Sequence, residues 1–272
     1  SEQVTLNVGV NARVLTLNNS WTLEPRAGIK WQFSPKSSFA LAYGLHSRME
    51  KMDVYFVKTQ GTGDRSVNKD LGFTRAHHVM LSYGFKISDN MNMKIEPYFQ
   101  QLYDVPVIAD SSYSVLNRRD FYVENALVNR GKGRNIGVDI TLERYLNKGL
   151  YYMVTASIFD SKYYGGDRKW RNTLYNRNFI INVLGGKEWM VGRDKQNMFS
   201  VNFKITLQGG DRYAPVDEVA TLLDPDREVQ YDETKAFSKQ FSPMFITNFS
   251  VGYKINRKKV SHEFSIKSLN TT

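Results

Sequence analysis

Apolar and polar residues alternate along this chain with a period of two. Between 199 and 207, Phe199, Val201, Phe203, Ile205 and Leu207 are apolar, while Ser200, Asn202, Lys204 and Thr206 are polar. The same alternation runs through Phe39, Leu41, Tyr43 and Leu45, through Val138, Ile140 and Leu142, and through Phe249, Val251, Tyr253 and Ile255. Successive side chains of a strand point to opposite faces, so each segment predicts a strand with one apolar and one polar face. Helical spacing is sustained nowhere. Strands are expected at 3–16, 22–33, 38–48, 74–87, 91–104, 134–146, 150–162, 178–190, 198–208, 244–255 and 260–268.

The connections between these segments fall into two kinds. Ser34-Pro35-Lys36-Ser37, Ser88-Asp89-Asn90, Asn147-Lys148-Gly149, Gly192-Arg193-Asp194-Lys195 and Asn256-Arg257-Lys258-Lys259 are tight turns built from residues that suit hairpins. The connections 49–73, 105–133, 163–177 and 209–243 are long, and 17–21 is a short member of the same set. Tight and long connections alternate, so up-and-down strands place every tight turn at one end and every long loop at the other. That layout belongs to a transmembrane β-barrel with short turns on one side of the membrane and long loops on the other. The expected fold is therefore all-β: an antiparallel up-and-down transmembrane barrel, with Val138, Ile140, Leu142, Phe203 and Ile205 facing lipid and the polar alternates facing a wet lumen.

Composition agrees with this fold. The mean hydropathy of −0.46 and the lack of a long apolar run exclude a helical membrane protein, yet a barrel spans a bilayer with half its strand residues polar. Zero cysteines exclude disulfide scaffolds and thiolate metal sites. Aromatic residues reach 13% of the chain, which favours strands. The chain opens in strand-like sequence with no recognisable signal peptide.

Five segments carry a resemblance: LEPRAGIKWQFSPKSSFALAYGLHSR at 23–48, GKGRNIGVDITLERYLNKG at 131–149, WRNTLYNRNFIINVLGGKEW at 170–189, GGDRYAPVD at 209–217 and YDETKAFSKQF at 231–241. In order and spacing they resemble the C-terminal half of the barrel of a TonB-dependent outer-membrane receptor, of the branch with a carboxypeptidase-regulatory-like N-terminal domain. The resemblance implies that residues 1–272 are part of a single 22-stranded barrel, contributing about eleven strands, with the plug, the N-terminal strands and the final strand absent from this chain. It implies energised uptake of a large nutrient (siderophore, glycan or peptide) across the bacterial outer membrane, without catalysis. The implied partners are an inner-membrane energy-coupling protein acting through the absent N-terminal region, a surface lipoprotein, and the outer-membrane lipid and lipopolysaccharide. A passive channel or adhesin barrel, or a soluble all-β glycan-binding module, is the alternative.

Candidate chemistry is sparse. Asp139 and Glu143 share one strand face, but four residues apart they stand about 13 Å from each other, beyond the separation of a glycosidase pair. His77 and His78 point to opposite faces and cannot chelate together, and His46 and His262 complete no metal spacing; no metal and no cofactor is expected. Gly131-Lys132-Gly133-Arg134-Asn135-Ile136-Gly137 is a near miss for a dinucleotide fingerprint, followed by a strand rather than a helix, and is read as a loop re-entering the barrel. The excess of 37 Lys+Arg over 27 Asp+Glu gives a net charge of +10, but the cations are scattered, which argues against nucleic acid and suits anionic lipopolysaccharide or an anionic ligand. The loop 209–243 is acidic without EF-hand spacing. Ligand-binding candidates are aromatic residues and arginines in or beside the long loops: Tyr163, Tyr164, Trp170, Arg171, Tyr175, Arg212 and Tyr213. Aromatic faces with arginine forks suit sugars, catecholates or peptides, and the same rings suit an interfacial girdle.

Overall fold

The computed structural model describes residues 3–59, 66–118, 123–226 and 228–271. Residues 60–65 and 119–122 of the expected loops, and Arg227 of the acidic loop, lie outside the described residues. The main strands are β1 (Val4–Leu15), β2 (Ser20–Ser34), β3 (Ser37–Arg48), β4 (Thr74–Ser88), β5 (Met91–Val107), β6 (Val128–Asn147) and β7 (Leu150–Tyr164). A short β8 (Trp170–Asn172) follows, then β9 (Phe179–Val191), β10 (Asn197–Gln208), short β11 (Arg212–Tyr213) and β12 (Lys239–Gln240), β13 (Met244–Asn256) and β14 (Ser261–Ser268). Two short helices, α1 (Met52–Tyr55) and α2 (Glu218–Leu223), lie in loops.

Every expected strand is present. The main sheet runs β1-β2-β3-β4-β5-β6-β7-β9-β10-β13-β14, each neighbour antiparallel to the last, with β8 pairing the upper part of β7. This is an up-and-down meander, so the tight turns all lie at one end and the long loops at the other. The 147–150 turn shows why its sequence is Asn-Lys-Gly-Leu. Asn147 pairs with Leu150, and Lys148 and Gly149 both take positive φ, 51° and 75°. Two central residues of positive φ make the hairpin turn whose twist matches its strands. A Cβ on Gly149 would also stand 2.2 Å from the Glu188 carbonyl oxygen.

Register assigns the faces. Val79, Leu81, Tyr83 and Phe85 of β4 share a face with Tyr43, Leu41 and Phe39 of β3 and with Phe99, Ile95 and Met93 of β5. The face continues through Ile136, Val138, Ile140 and Leu142, through Ile158, Ala156 and Val154, and on to Ile181 and Val183. It ends through Leu207, Ile205 and Phe203, Phe245 and Phe249, and Ile266 and Phe264. None of these side chains is buried and several are bare: Ile158 is 62% exposed, Phe203 43% and Ile266 76%. A contiguous apolar face this large and this exposed is what a lipid-facing wall presents. From Val79 to Ile87 the band measures about 26 Å along the strand.

The buried hydrophobic cluster lies elsewhere. Val54, Tyr55, Leu71, Phe73, Val105, Val115, Val123 and Leu127 pack at the loop end, against Leu15 of the β1–β2 hairpin. Asparagines join these loops by satisfying their backbone. Asn68 accepts from the Leu127 amide (2.7 Å) and donates to the Asn125 carbonyl (3.0 Å). Asn129 accepts from the Gly72 amide (2.9 Å), and Asn18 donates to the Leu71 carbonyl (2.7 Å).

Two expectations need correction. The 105–133 connection is shorter than its sequence suggests, because β5 continues to Val107 and β6 starts at Val128 instead of 134. The glycine run is accordingly strand and not a re-entering loop. Gly131, Gly133 and Gly137 share the polar face, where a Cβ would meet Val107 at 2.5 Å, Leu116 at 2.9 Å and the Tyr98 hydroxyl at 2.7 Å. Glycine is there so that neighbouring side chains can lie across the strand, which also erases the alternation that would have marked it.

Candidate functional site

At the loop end, the segments 111–118, 212–214 and 231–241 enclose a cavity of about 540 Å³. Its wall includes Tyr113, Arg118, Arg212, Tyr213, Tyr231, Glu233, Phe237 and Phe241. The β11–β12 pair forms one side: Arg212 faces Gln240 and Tyr213 faces Lys239. Tyr213 and Phe241 stack with ring centres 4.4 Å apart. Two glycines before β11 permit this packing, since a Cβ on Gly209 would stand 1.8 Å from the Arg177 carbonyl oxygen and one on Gly210 2.2 Å from that of Phe241. Arg212 is oriented by bonds from Nε to the Asn176 carbonyl and from Nη2 to Asn178 Oδ1, both 2.8 Å. Burial pushes its guanidinium below the ordinary value. Arg118 reaches Asp53 at 3.1 Å, and Glu233 accepts from the Ser111 hydroxyl at 3.1 Å. The cavity therefore offers flat aromatic faces beside two arginines and one carboxylate, a set suited to a planar or multiply hydrogen-bonding solute.

A second cavity, about 560 Å³, lies on the polar face below the loops. His78, Tyr98, Gln100, Asn135, Asp139, Tyr175 and Arg177 line it. Its floor is a hydrogen-bonded polar network: Ser157 donates to Asp139 (2.5 Å), Ser161 to Asn135 (2.6 Å) and Asn135 to Gln100 (2.9 Å). Asp139 is thus engaged as an acceptor in the wall.

The seven candidate residues separate into four places. Arg212 and Tyr213 line the loop-end cavity, and Tyr175 lines the polar-face cavity. Tyr164 and Trp170 pair across β7 and β8, their rings 5.5 Å apart, on the apolar face. Tyr163 is fully buried edge-on to Phe237, and Arg171 forms a bidentate pair with Asp167 at 2.9 and 2.5 Å. Arg118, Tyr231, Glu233, Phe237 and Phe241 were not among the candidates. Four of them lie in or at the ends of the 231–241 segment, whose aromatic spacing was the available signal. His77 stacks on Tyr43 and Tyr103 on the apolar face, whereas His78 meets His46 on the polar face. Among the described residues, no three His, Cys, Asp or Glu converge as a metal would need.

No protein-family model and no curated protein matches the chain. Solved structures do. The outer membrane transporter YddB from Escherichia coli is similar over 99% of this chain and 39% of its own, with a TM-score of 0.67 at 12% identity. The ferripyoverdine receptor of the outer membrane of Pseudomonas aeruginosa is similar over 100% and 33%, with a TM-score of 0.67 at 11% identity. The ferric-catecholate import receptor Fiu from E. coli K12 is similar over 93% and 31%, with a TM-score of 0.63 at 10% identity. The chain has the fold of an outer-membrane receptor's barrel wall. It spans between about three and four tenths of the length of these proteins.

Proposed function

We propose that this chain is the loop-bearing part of the barrel of an energised bacterial outer-membrane receptor that imports a large solute. The observation that carries the proposal is the pairing of a bare apolar face with a polar face whose loop end is roofed by an aromatic- and arginine-lined cavity. A wall of this kind separates lipid from a wet passage, and its roof is where a solute is first held. The five sequence segments support the branch with a carboxypeptidase-regulatory-like N-terminal domain. Energy reaches such a receptor from an inner-membrane coupling protein acting through an N-terminal region outside this chain, and a surface lipoprotein is a further partner. Siderophore, glycan and peptide remain the substrate classes, with Arg212 and Tyr213 as the first contacts.

The test is uptake by cells carrying the full-length protein. Dissipating the proton gradient should abolish accumulation, and Tyr213→Ala with Phe241→Ala should raise the half-saturating solute concentration at least about tenfold, the loss of two stacked contacts. Uptake that persists without the gradient would mean a passive channel.

A further inference from the structure

Immediately above the apolar band on the loop side, the apolar face changes character. Arg75 of β4 pairs with Tyr103 of β5, and across the β5–β6 bulge Lys132, Tyr164 and Trp170 are successive cross-strand neighbours from β6 to β8, so cations and aromatic rings share this level of the face. The next row towards the band holds His77, Gln101, Arg134, Lys162 and Asn172. Below that come Val79, Phe99 and Ile136, where the apolar surface begins, with Asp160 beside Ile136.

The carboxylates on this patch are already engaged. Asp104 pairs with Arg75 at 2.9 Å, and Asp160 pairs with Lys162 at 3.4 Å and accepts from Asn176 at 2.9 Å. Lys132 and Arg134 are exposed, and among the described residues no carboxylate pairs with either. Each lies instead over an aromatic ring: Lys132 Nζ is 5.7 Å from the Tyr164 centre and the Arg134 guanidinium carbon 5.6 Å from that of Trp170. Such contacts leave the N–H groups at the edge of the ring free to meet an anion.

From this arrangement we infer that the upper rim of β6–β8 is a binding site for a phosphate-bearing lipid headgroup of the leaflet on the loop side. The inference rests on the membrane reading above. The band beneath the rim must lie among acyl chains, which sets the rim at headgroup depth. Cations at that depth without carboxylate partners complement lipid phosphates, and Trp170 and Tyr164 present the amphipathic rings that interfaces favour.

The experiment uses the full-length protein purified in a neutral detergent and titrated with diphosphorylated lipid A, with bound lipid counted by native mass spectrometry. The wild type should bind it, and K132Q/R134Q should weaken binding roughly 10- to 30-fold, as expected for two interfacial cations. The charge-preserving swap K132R/R134K should bind as the wild type does, which separates charge from misfolding. K86Q, at the turn end, should also bind normally. Equal binding of dephosphorylated lipid A, full competition by inorganic phosphate, or unchanged binding by K132Q/R134Q would each overturn the site while leaving the membrane reading intact. A full-length protein that stays monodisperse in water without detergent would overturn both.

Discussion

Single asparagines do much of the work of shaping the loop end. Asn176 is fully buried and stands at a crossing of four segments. It donates to Asp160 (2.9 Å) and Asn172 (3.0 Å), accepts from the Ser161 amide (3.1 Å), and its carbonyl receives Arg212. Truncation would strand buried partners, each costing about 1–3 kcal/mol. Asn176→Ala should therefore destabilise the loop end by on the order of 3 kcal/mol and open 165–178 and 209–241 to limited proteolysis while the sheet survives. The Asp167–Arg171 pair gives a pH signature. Hydrogen bonds from Arg171, outweighing the opposing effect of burial, hold the Asp167 carboxyl below its ordinary 3.8. A depressed carboxyl contributes stability that is fully present above its unfolded value and is lost as pH falls through the folded one. Protease resistance around 165–171 should hold at pH 5 and above and decline below about pH 4. Asp167→Asn should lower it at neutral pH and remove that decline.

At the scale of the strand, which face a residue occupies decides what it tolerates. Ile140 and Thr141 are adjacent in β6 but lie on opposite faces, opposite Ile95 and Lys94 of β5. Ile140→Arg should cost roughly 2–4 kcal/mol near the bilayer midplane, while Thr141→Arg should cost under about 1 kcal/mol on the wet side. Urea unfolding of the full-length protein from lipid vesicles measures both, and equal penalties would contradict the two-faced wall. The turn at 148–149 is just as position-specific. Gly149 combines positive φ with a close Glu188 carbonyl, so Gly149→Ala should slow assembly of the β7–β9 ladder as well as weaken it.

At the scale of the molecule, the sheet is open. Among the described residues no ladder joins β1 to β14, so each has one edge without a partner. Unpaired backbone groups in a bilayer cost several kcal/mol apiece, which makes further strands on both edges the expected state of the functional barrel. Hydrogen exchange on the full-length protein in membranes should show amides of Val4–Val14 protected as strongly as those of β6. Free exchange along β1 would mean that no strand covers that edge. The only extensive dry packing in the described chain sits in the loops, so heat should melt the loop end before the ladders, with near-ultraviolet signals lost ahead of β-sheet signals.

The eleven main strands, the faces they present and the sorting of turns from loops were all legible in the sequence. Period-two alternation and turn chemistry are written in neighbouring residues, and a wall between lipid and water enforces them at every second position. Where the position on the polar face is a glycine, as at 131 and 133, the alternation is lost, and it marks β6 only from 134 although the strand begins at Val128. The loop end was decided by tertiary structure. Asn68 meets Leu127, Arg212 meets Asn176 and Ser111 meets Glu233 across 59, 36 and 122 residues of chain. No local pattern encodes such pairs. The seven candidate residues accordingly went to four different surroundings. An aromatic or arginine in a loop is equally suited to a cavity, a buried contact or a lipid rim, and only the folded register and packing select among them.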